Sequence, residues 1–302
     1  MITLKKKFSD LDSFVINKKV ILRIDLNLPT FDNEITDYTR LEKIIPTIEY
    51  LLNNNAKIIL ISHFGRPDGK IIKELSLKDL AVKIGSSVNK EVGFIEDNIL
   101  KIKKDKIEKA LENYQIILLE NLRFYLDEER NDESFSKKLA SFADIYVNEC
   151  FSGSHRNHSS IVGIPKFLPS FPGMLLEEEI SNLKNLVIND RSSSSIAVFG
   201  GSKISTKIKI VDFYLNKFDK VLIGGAMANT FLVAKGKEIG SSIIEKSMVK
   251  TAKEYLENFS EKIILPTDCV LSTKTKEISV KAIDMVDKDE KILDIGPQSR
   301  ML

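Results

Sequence analysis

Eight arginines stand against 37 lysines in this chain of 302 residues, so the planar, two-pronged fork that arginine offers to phosphate or carboxylate is confined to few places. Four of those places share a pattern: an apolar run of strand length ends in polar, chemistry-bearing residues. The first run leads into Arg23-Ile24-Asp25-Leu26-Asn27-Leu28-Pro29, and the second into Ser62-His63-Phe64-Gly65-Arg66-Pro67. A third ends in Glu120-Asn121-Leu122-Arg123-Phe124, and a fourth in Asn148-Glu149-Cys150-Phe151-Ser152, followed by His155-Arg156-Asn157-His158. The three histidines of the chain all lie within three residues of an arginine in these segments. If the first strand ran on through residue 26, its period-two alternation would put Arg23, Asp25 and Asn27 on one face. A single strand-end His or Arg is better explained by structural pairing. Recurrence at separate strand ends points instead to a basic pocket for a small, multiply anionic metabolite. Arg130, Arg191 and Arg300 read as incidental surface charge.

A second constellation is built from glycine and lysine. The run 195–199 enters Gly200-Gly201-Ser202-Lys203-Ile204-Ser205-Thr206-Lys207, and a helix predicted over 203–215 would carry Lys203 and Lys207 on one face. Glycine allows close backbone approach, and a helix N-terminus favours phosphate. A tight turn with two solvated lysines explains the segment equally well. A further pair, Gly224-Gly225, followed by Ala226, repeats the pattern after the next strand. No Walker-type GxxxxGK[ST] loop occurs.

The elements that must position these residues follow from hydrophobic spacing. Strand-length runs at 20–26, 57–62, 93–96, 116–120 and 145–148 alternate with helical spacing at 40–52, 77–88 and 135–142. Near-continuous Ile, Leu and Val argue for a parallel sheet covered on both faces. Residues 165–173 read as a connection, 174–187 as an amphipathic helix and 189–195 as a polar linker. Then come runs at 195–199, 220–223, 262–265 and 292–295, with helices near 203–215 and 245–256. The expectation is an α/β protein of two Rossmann-like parallel-sheet domains: 1–172, a hinge at 173–190, and 191–302.

Composition narrows the function. A net charge of +2, with charged residues at 29%, gives no case for nucleic acid as a main partner. Cys150 and Cys269 form no CxxC pair and no zinc spacing, so a reduced setting is expected. No apolar stretch approaches a membrane span or a secretory leader, and the expectation is a soluble, cytoplasmic protein.

Taken in order, RIDLNLP, YTRLEKIIPTI, SHFGRP, LLENLRF, HRNHSS, GGSKISTK, IGGAMANTFL, LPTD and DIGP resemble the phosphoglycerate kinase family between residues 20 and 297. The resemblance implies reversible phosphoryl transfer between 1,3-bisphosphoglycerate and ADP, giving 3-phosphoglycerate and ATP, by a monomer using Mg2+ with the nucleotide. It implies that Asp25, Leu26, Asn27, His63, Phe64 and Gly65 orient the glycerate while Arg66, Arg123 and Arg156 grip its stable phosphate. Arg40 would sit at the transferring phosphoryl, with His155 and His158 supporting the basic pocket. Gly201, Lys203, Lys207, Gly224 and Gly225 would meet the nucleotide, and Arg40, Lys203 and Lys207 would be catalytic. No metal ligand is assigned within this chain.

Three departures stand out. Glu149-Cys150-Phe151-Ser152 replaces the family's usual Asp-Ala-Phe-Gly, and Ala226 replaces the third glycine of a common triplet. After DIGP the chain reads QSRML, where the family continues with an Asn-Gly-Pro segment, an acidic residue at the ribose and a glycine-rich turn. The expectation is a second domain that is incomplete relative to the family, with an unpaired sheet edge. A shortened homologue that only binds phosphoglycerate is the alternative.

Overall fold

Apolar runs too continuous for a one-sided sheet organise the first half of the protein, a computed structural model of which describes residues 5–32, 34–187 and 194–301. The chain divides into two compact units, Met1–Lys184 and Asn185–Leu302.

The first unit opens with β1 (Lys19–Arg23), a short hairpin of β2 (Thr30–Phe31) and β3 (Glu34–Ile35), and helix α1 (Thr39–Asn53). Then follow β4 (Lys57–Ile61), α2 (Lys78–Val88), β5 (Val92–Ile95), α3 (Lys104–Asn113) and β6 (Ile116–Leu119). It finishes with α4 (Leu126–Glu129), α5 (Glu133–Ala140), β7 (Ile145–Asn148), β8 (Ser170–Pro172) and α6 (Met174–Val187). Six of these strands form one parallel sheet in the order β5-β6-β4-β1-β7-β8. Alternate residues feed opposite faces. Val20, Leu22, Ile58 and Leu60 pack with Leu41, Ile44, Ile48 and Ile84 of α1 and α2. Ile21, Ile59, Ile61 and Ile117 pack with Ile107, Leu111, Phe135 and Leu139 of α3 and α5. Burial on both faces explains why the strands read as unbroken Ile, Leu and Val.

Two expectations for this unit are corrected, and one helix was not anticipated. β1 ends at Arg23, so Arg23, Asp25 and Asn27 do not line one strand face. The stretch 165–173 contains β8, whose residues 170–172 pair in parallel with β7. Helix α3 escapes the spacing argument because Ile107 and Leu111 are its only buried residues in a run of charges.

In the second unit, β9 (Ile196–Phe199), α7 (Ile208–Lys217), β10 (Lys220–Ile223), α8 (Gly225–Ala234), α9 (Val249–Asn258) and β11 (Ile263–Ile264) form an α/β layer. Its sheet is parallel, in the order β11-β10-β9, over a core that includes Val211, Leu215, Val221, Met227 and Phe231. A second sheet is antiparallel: β12 (Asp268–Ser272) lies between β13 (Ile278–Ala282) and β14 (Lys291–Ile295). The 292–295 run therefore does not extend the parallel series, and β12 and β13 were not anticipated. Strand β13 alternates exposed and half-buried residues, as a sheet solvated on one face does. The predicted 189–195 linker, with Arg191, falls almost wholly outside the described residues.

Candidate active site

Three loops at the carboxyl ends of β1, β4 and β6 are held together by side chains as well as by backbone bonds, such as Leu122 N to Ser62 O at 3.1 Å. Ser62, fully buried, donates to Ile24 O and accepts from Leu26 N, each at 2.9 Å. Asn121, also fully buried, accepts from Phe64 N and Arg123 N and donates to Phe64 O and Leu75 O. Glu120 accepts from Leu77 N and Asn121 N at 2.9 and 2.8 Å. Ser62, Asn121 and Glu120 thus bring their polar atoms inside the fold with partners, without which they would destabilise it. The result is a fixed frame.

That frame carries the substrate residues expected from the sequence. Asn27 Oδ1 accepts from Gly65 N at 2.9 Å, which joins the first loop to the second. Arg123 Nη1 donates to Gly65 O at 2.7 Å, and its Nε lies 3.3 Å from a Glu129 carboxylate oxygen. Arg40 reaches over from α1, donating to Asp25 Oδ2 at 3.1 Å and to Asn27 O at 2.7 Å. Leu26 and Phe64 turn their side chains into the core. Among the described residues, the guanidinium groups of Arg66 and Arg156 have no hydrogen-bond or ion-pair partner. The charge of Arg156 nevertheless acts on His63, as do those of Arg23 and Arg40. A cavity of about 350 Å³ is lined by Asp25, Arg40, Lys43, Glu149, Ser152 and Glu178, among others.

Several participants were not read from the sequence. Ser152 donates to Asp25 Oδ2 at 2.5 Å, so the Asp25 carboxylate is shared between Ser152 and Arg40. Glu149 accepts from the Thr47 hydroxyl and from Leu175 N and Leu176 N at 3.1 Å, closing the first turn of α6. The approach is close, since a Cβ on Gly173 would fall 2.1 Å from Glu149 Oε2. Burial raises the Glu149 carboxyl above its ordinary range, against the pull of those donors. Glu128 is fully buried under Arg23 and Ser160, and burial likewise raises it.

The second unit arranges its glycine pairs back to back. Gly201 has φ +138° and Gly225 φ +61°, and a Cβ on Gly225 would meet Gly201 N at 3.0 Å. Met227 N donates to Gly201 O at 2.7 Å and Gly224 N to Phe199 O at 2.7 Å. Lys203 and Lys207 do not share a helix face, because α7 begins only at Ile208. The Glu245 carboxylate takes Ile204 N at 2.7 Å, Ser205 N at 3.1 Å and the Ser205 hydroxyl, keeping this stretch a loop. Lys207 Nζ donates to Gly200 O at 2.5 Å, whereas Lys203 is exposed. A cavity of about 250 Å³ lies beside α8, lined by Gly225, Ala226, Asn229, Leu232, Asp294 and Ile295 among others.

One α/β unit presents free guanidinium groups, and another presents lysines beside glycine turns. Such groups suit phosphorylated ligands. The model of the phosphoglycerate kinase family matches residues 9–302. The phosphoglycerate kinase of Prochlorococcus marinus is 42% identical over 306 residues, covering 98% of this chain and 75% of that protein. That of Finegoldia magna is 42% identical over 304 residues, covering 98% and 76%. Among solved structures, phosphoglycerate kinase from Coxiella burnetii superposes with a TM-score of 0.80 at 32% identity, covering 98% of this chain and 75% of that one. The enzyme from Pyrococcus horikoshii OT3 gives 0.81 at 29% identity, covering 98% and 76%. The chain belongs to the phosphoglycerate kinase family, whose members are phosphotransferases, and it spans about three quarters of the length of these relatives. No described helix is long and apolar enough to cross a membrane.

Proposed function

We propose that this chain catalyses reversible transfer of a phosphoryl group from the C1 acyl phosphate of 1,3-bisphosphoglycerate to the terminal phosphate oxygen of ADP, releasing 3-phosphoglycerate and ATP. The observation that carries this reading is the pair of unpartnered guanidinium groups, Arg66 and Arg156, beside a frame that already pairs Arg123 and Arg40. Unpaired guanidinium groups next to neutral donors suit a small ligand with a phosphate at one end and a carboxyl at the other.

In this reading the first unit is the glycerate-binding domain, near 1–172. Arg66, Arg123 and Arg156 hold the stable phosphate, while Asp25, Asn27 and His63 orient the glycerate. Arg40 neutralises charge on the moving phosphoryl. The second unit, from about 191, receives the nucleotide phosphates on Lys203 and Lys207 and on the amides around Gly201, Gly224 and Gly225. The segment 173–190 serves as the hinge. One P–O bond breaks at the acyl oxygen and one forms at the diphosphate oxygen. Alignment and charge neutralisation carry most of the acceleration. These residues fit phosphate rather than a cation, and among the described residues no group of three or more His, Cys, Asp or Glu could hold a metal ion. Mg2+ would enter with the nucleotide and would offset its phosphate charge there. The protein acts as a cytoplasmic monomer on small-molecule substrates.

The test is a coupled assay with 3-phosphoglycerate and MgATP, together with calorimetric titration of 3-phosphoglycerate. Glycerate binding that disappears in Arg66→Ala and Arg156→Ala supports the reading. Absence of both turnover and glycerate binding overturns it.

A further inference from the structure

Arg23 is 2% exposed, the most deeply placed arginine of the basic segments, and it faces away from any open surface. Its Nε donates to Ser160 Oγ at 2.9 Å, Nη1 donates to Ile24 O, and Nη2 lies 2.9 Å from His63 Nδ1. Beyond Ser160 lies Glu128, which accepts from Ser160 N at 2.9 Å and from the Ser160 hydroxyl at 2.5 Å. Every nitrogen of the guanidinium is therefore engaged, and its counter-charge is buried with it.

A guanidinium has donors only, and it does not lose its proton in proteins. The nitrogen it meets, His63 Nδ1, must then offer a lone pair. A neutral imidazole with a lone pair on Nδ1 carries its proton on Nε2. Nε2 makes no hydrogen bond among the described residues, and it is not among the buried atoms that lack a partner, so it is not sealed from solvent.

We infer that Arg23 is a positioning residue that holds His63 in the Nε2–H tautomer, so that the glycerate site contains a permanently neutral hydrogen-bond donor. The inference rests on the proposed glycerate reading for its use, but not for its geometry. The surroundings agree with it. Around His63 stand Arg23 from β1, Arg40 from α1, and Arg156 and His158 from the loop after β7, all opposing a second positive charge. Burial is the larger cause, and together they push His63 down to about 2. The buried carboxylate of Glu128 is engaged by Ser160, with the His158 ring 3.9 Å away and the charge of Arg23 acting on it. A donor that cannot become a cation gives the site a fixed hydrogen-bonding pattern across physiological pH.

Long-range proton–nitrogen NMR on the ligand-free protein, labelled with 15N-histidine, reads the tautomer directly. With three histidines in the chain, His155→Gln and His158→Gln complete the assignment. The expected result is a His63 with bare Nδ1 and protonated Nε2, unchanged between pH 8 and pH 5.5. An ordinary histidine, with pKa about 6.5, would be about nine-tenths protonated at the lower pH. A protonated Nδ1, or titration near neutrality, overturns the inference and leaves the glycerate reading intact. Loss of 3-phosphoglycerate binding in the unaltered protein would instead sink that reading alone.

The double variant Arg23→Met, Glu128→Gln removes the lock together with its counter-charge. His63 should then titrate, and affinity for 3-phosphoglycerate relative to the unaltered protein should rise as pH falls from 8 to 5.5. A merely structural role would shift affinity by the same factor at every pH, and that flat ratio would count against the inference. Should the double variant not fold, the NMR measurement on the unaltered chain decides.

Discussion

The two regions proposed to receive anionic ligands are built by opposite means. In the first unit, the loops after β1, β4 and β6 are stitched by side chains that are themselves buried: Ser62, Asn121, Arg23 and His63. In the second, the loop that carries Lys203 is tied from outside, by the carboxylate of Glu245 and by Lys207 reaching back to Gly200. Buried ties are expensive to lose because the partner left behind cannot turn to water, whereas exposed ties are replaced by water at little cost. The first region is thus a preset mould and the second an adjustable one. A glycerate of fixed shape suits the former, and flexible nucleotide phosphates suit the latter.

The largest effect expected concerns Arg40, whose geometry links the mould to chemistry. Arg40→Lys keeps the charge but loses the planar guanidinium, whose Nη1 alone donates to both Asp25 Oδ2 and Asn27 O. Turnover should fall by about two to three orders of magnitude, the usual loss for one preorganised charge-stabilising donor. Glycerate affinity should change far less, because Arg66, Arg123 and Arg156 remain. Steady-state kinetics, on the chain as it is and extended to the length of its relatives, together with calorimetry, check this. Near-normal turnover would make Arg40 a steering charge only.

Next in size is Asn121→Ala. This side chain satisfies Phe64 N, Phe64 O, Leu75 O and Arg123 N in the dry interior. Leaving such groups unpaired costs about 1–3 kcal/mol apiece, partly relieved by relaxation, so a loss of roughly 2–4 kcal/mol is expected. Denaturant titration followed by fluorescence-labelled probes in each unit should place that loss in the first unit. A change below about 0.5 kcal/mol would mean the mould is not held this way.

Protonation gives a third test. The folded protein keeps His63 neutral far below the pH at which the unfolded chain takes up its proton, about 6.5. Acidification from there favours unfolding, by up to about 1.4 kcal/mol per pH unit for this one group. Glu128 and Glu149, raised by burial, pull the other way as pH falls toward their own range. Comparison with His63→Gln isolates the histidine: the stability difference between the two proteins should move in favour of the variant from pH 6.5 to 5. A pH-independent difference would show that His63 accepts its proton in place.

How much of this could be read beforehand follows from the range of each interaction. The parallel sheet was legible because burial on both faces leaves unbroken apolar runs, and the strand ends were legible because Arg and His are scarce. Arg23 was misplaced with Asp25 and Asn27, since nothing local reveals that the strand stops and the guanidinium turns inward. Glu128 lies in the charged stretch Asp127-Glu128-Glu129-Arg130, yet it meets Ser160 across 32 positions of sequence. Thr47 and Glu149 are 102 positions apart, and Ser205 and Glu245 are 40 apart. Such pairs leave no periodic trace. The helix expected over 203–215 had sound spacing, and it lost its first turn to a carboxylate that the spacing does not include.

That carboxylate supplies the smallest effect, and the one that most sharpens the contrast between the two regions. Glu245 is held below the usual carboxylate range, first by the Ser205 hydroxyl and then by the amides of Ser205 and Ile204, with Lys203 nearby. It is therefore ionised at neutral pH, and its stabilising part is lost only as pH falls through that lowered value. Glu245→Ala should free Ile204 N and Ser205 N to exchange with solvent several-fold faster, because their only described acceptor is gone. With that competitor removed, residues 203–207 are free to join α7, and the helical signal of the second unit should rise slightly. Glycerate affinity should stay unchanged, and global stability should move far less than in Asn121→Ala, since water can reach the groups left by a half-buried acceptor. Amide exchange mapped by mass spectrometry, with circular dichroism beside it, reads all of these at once. A loss of stability rivalling that of Asn121→Ala would mean that the lysine loop is as preset as the mould, and the distinction drawn between the two regions would fall.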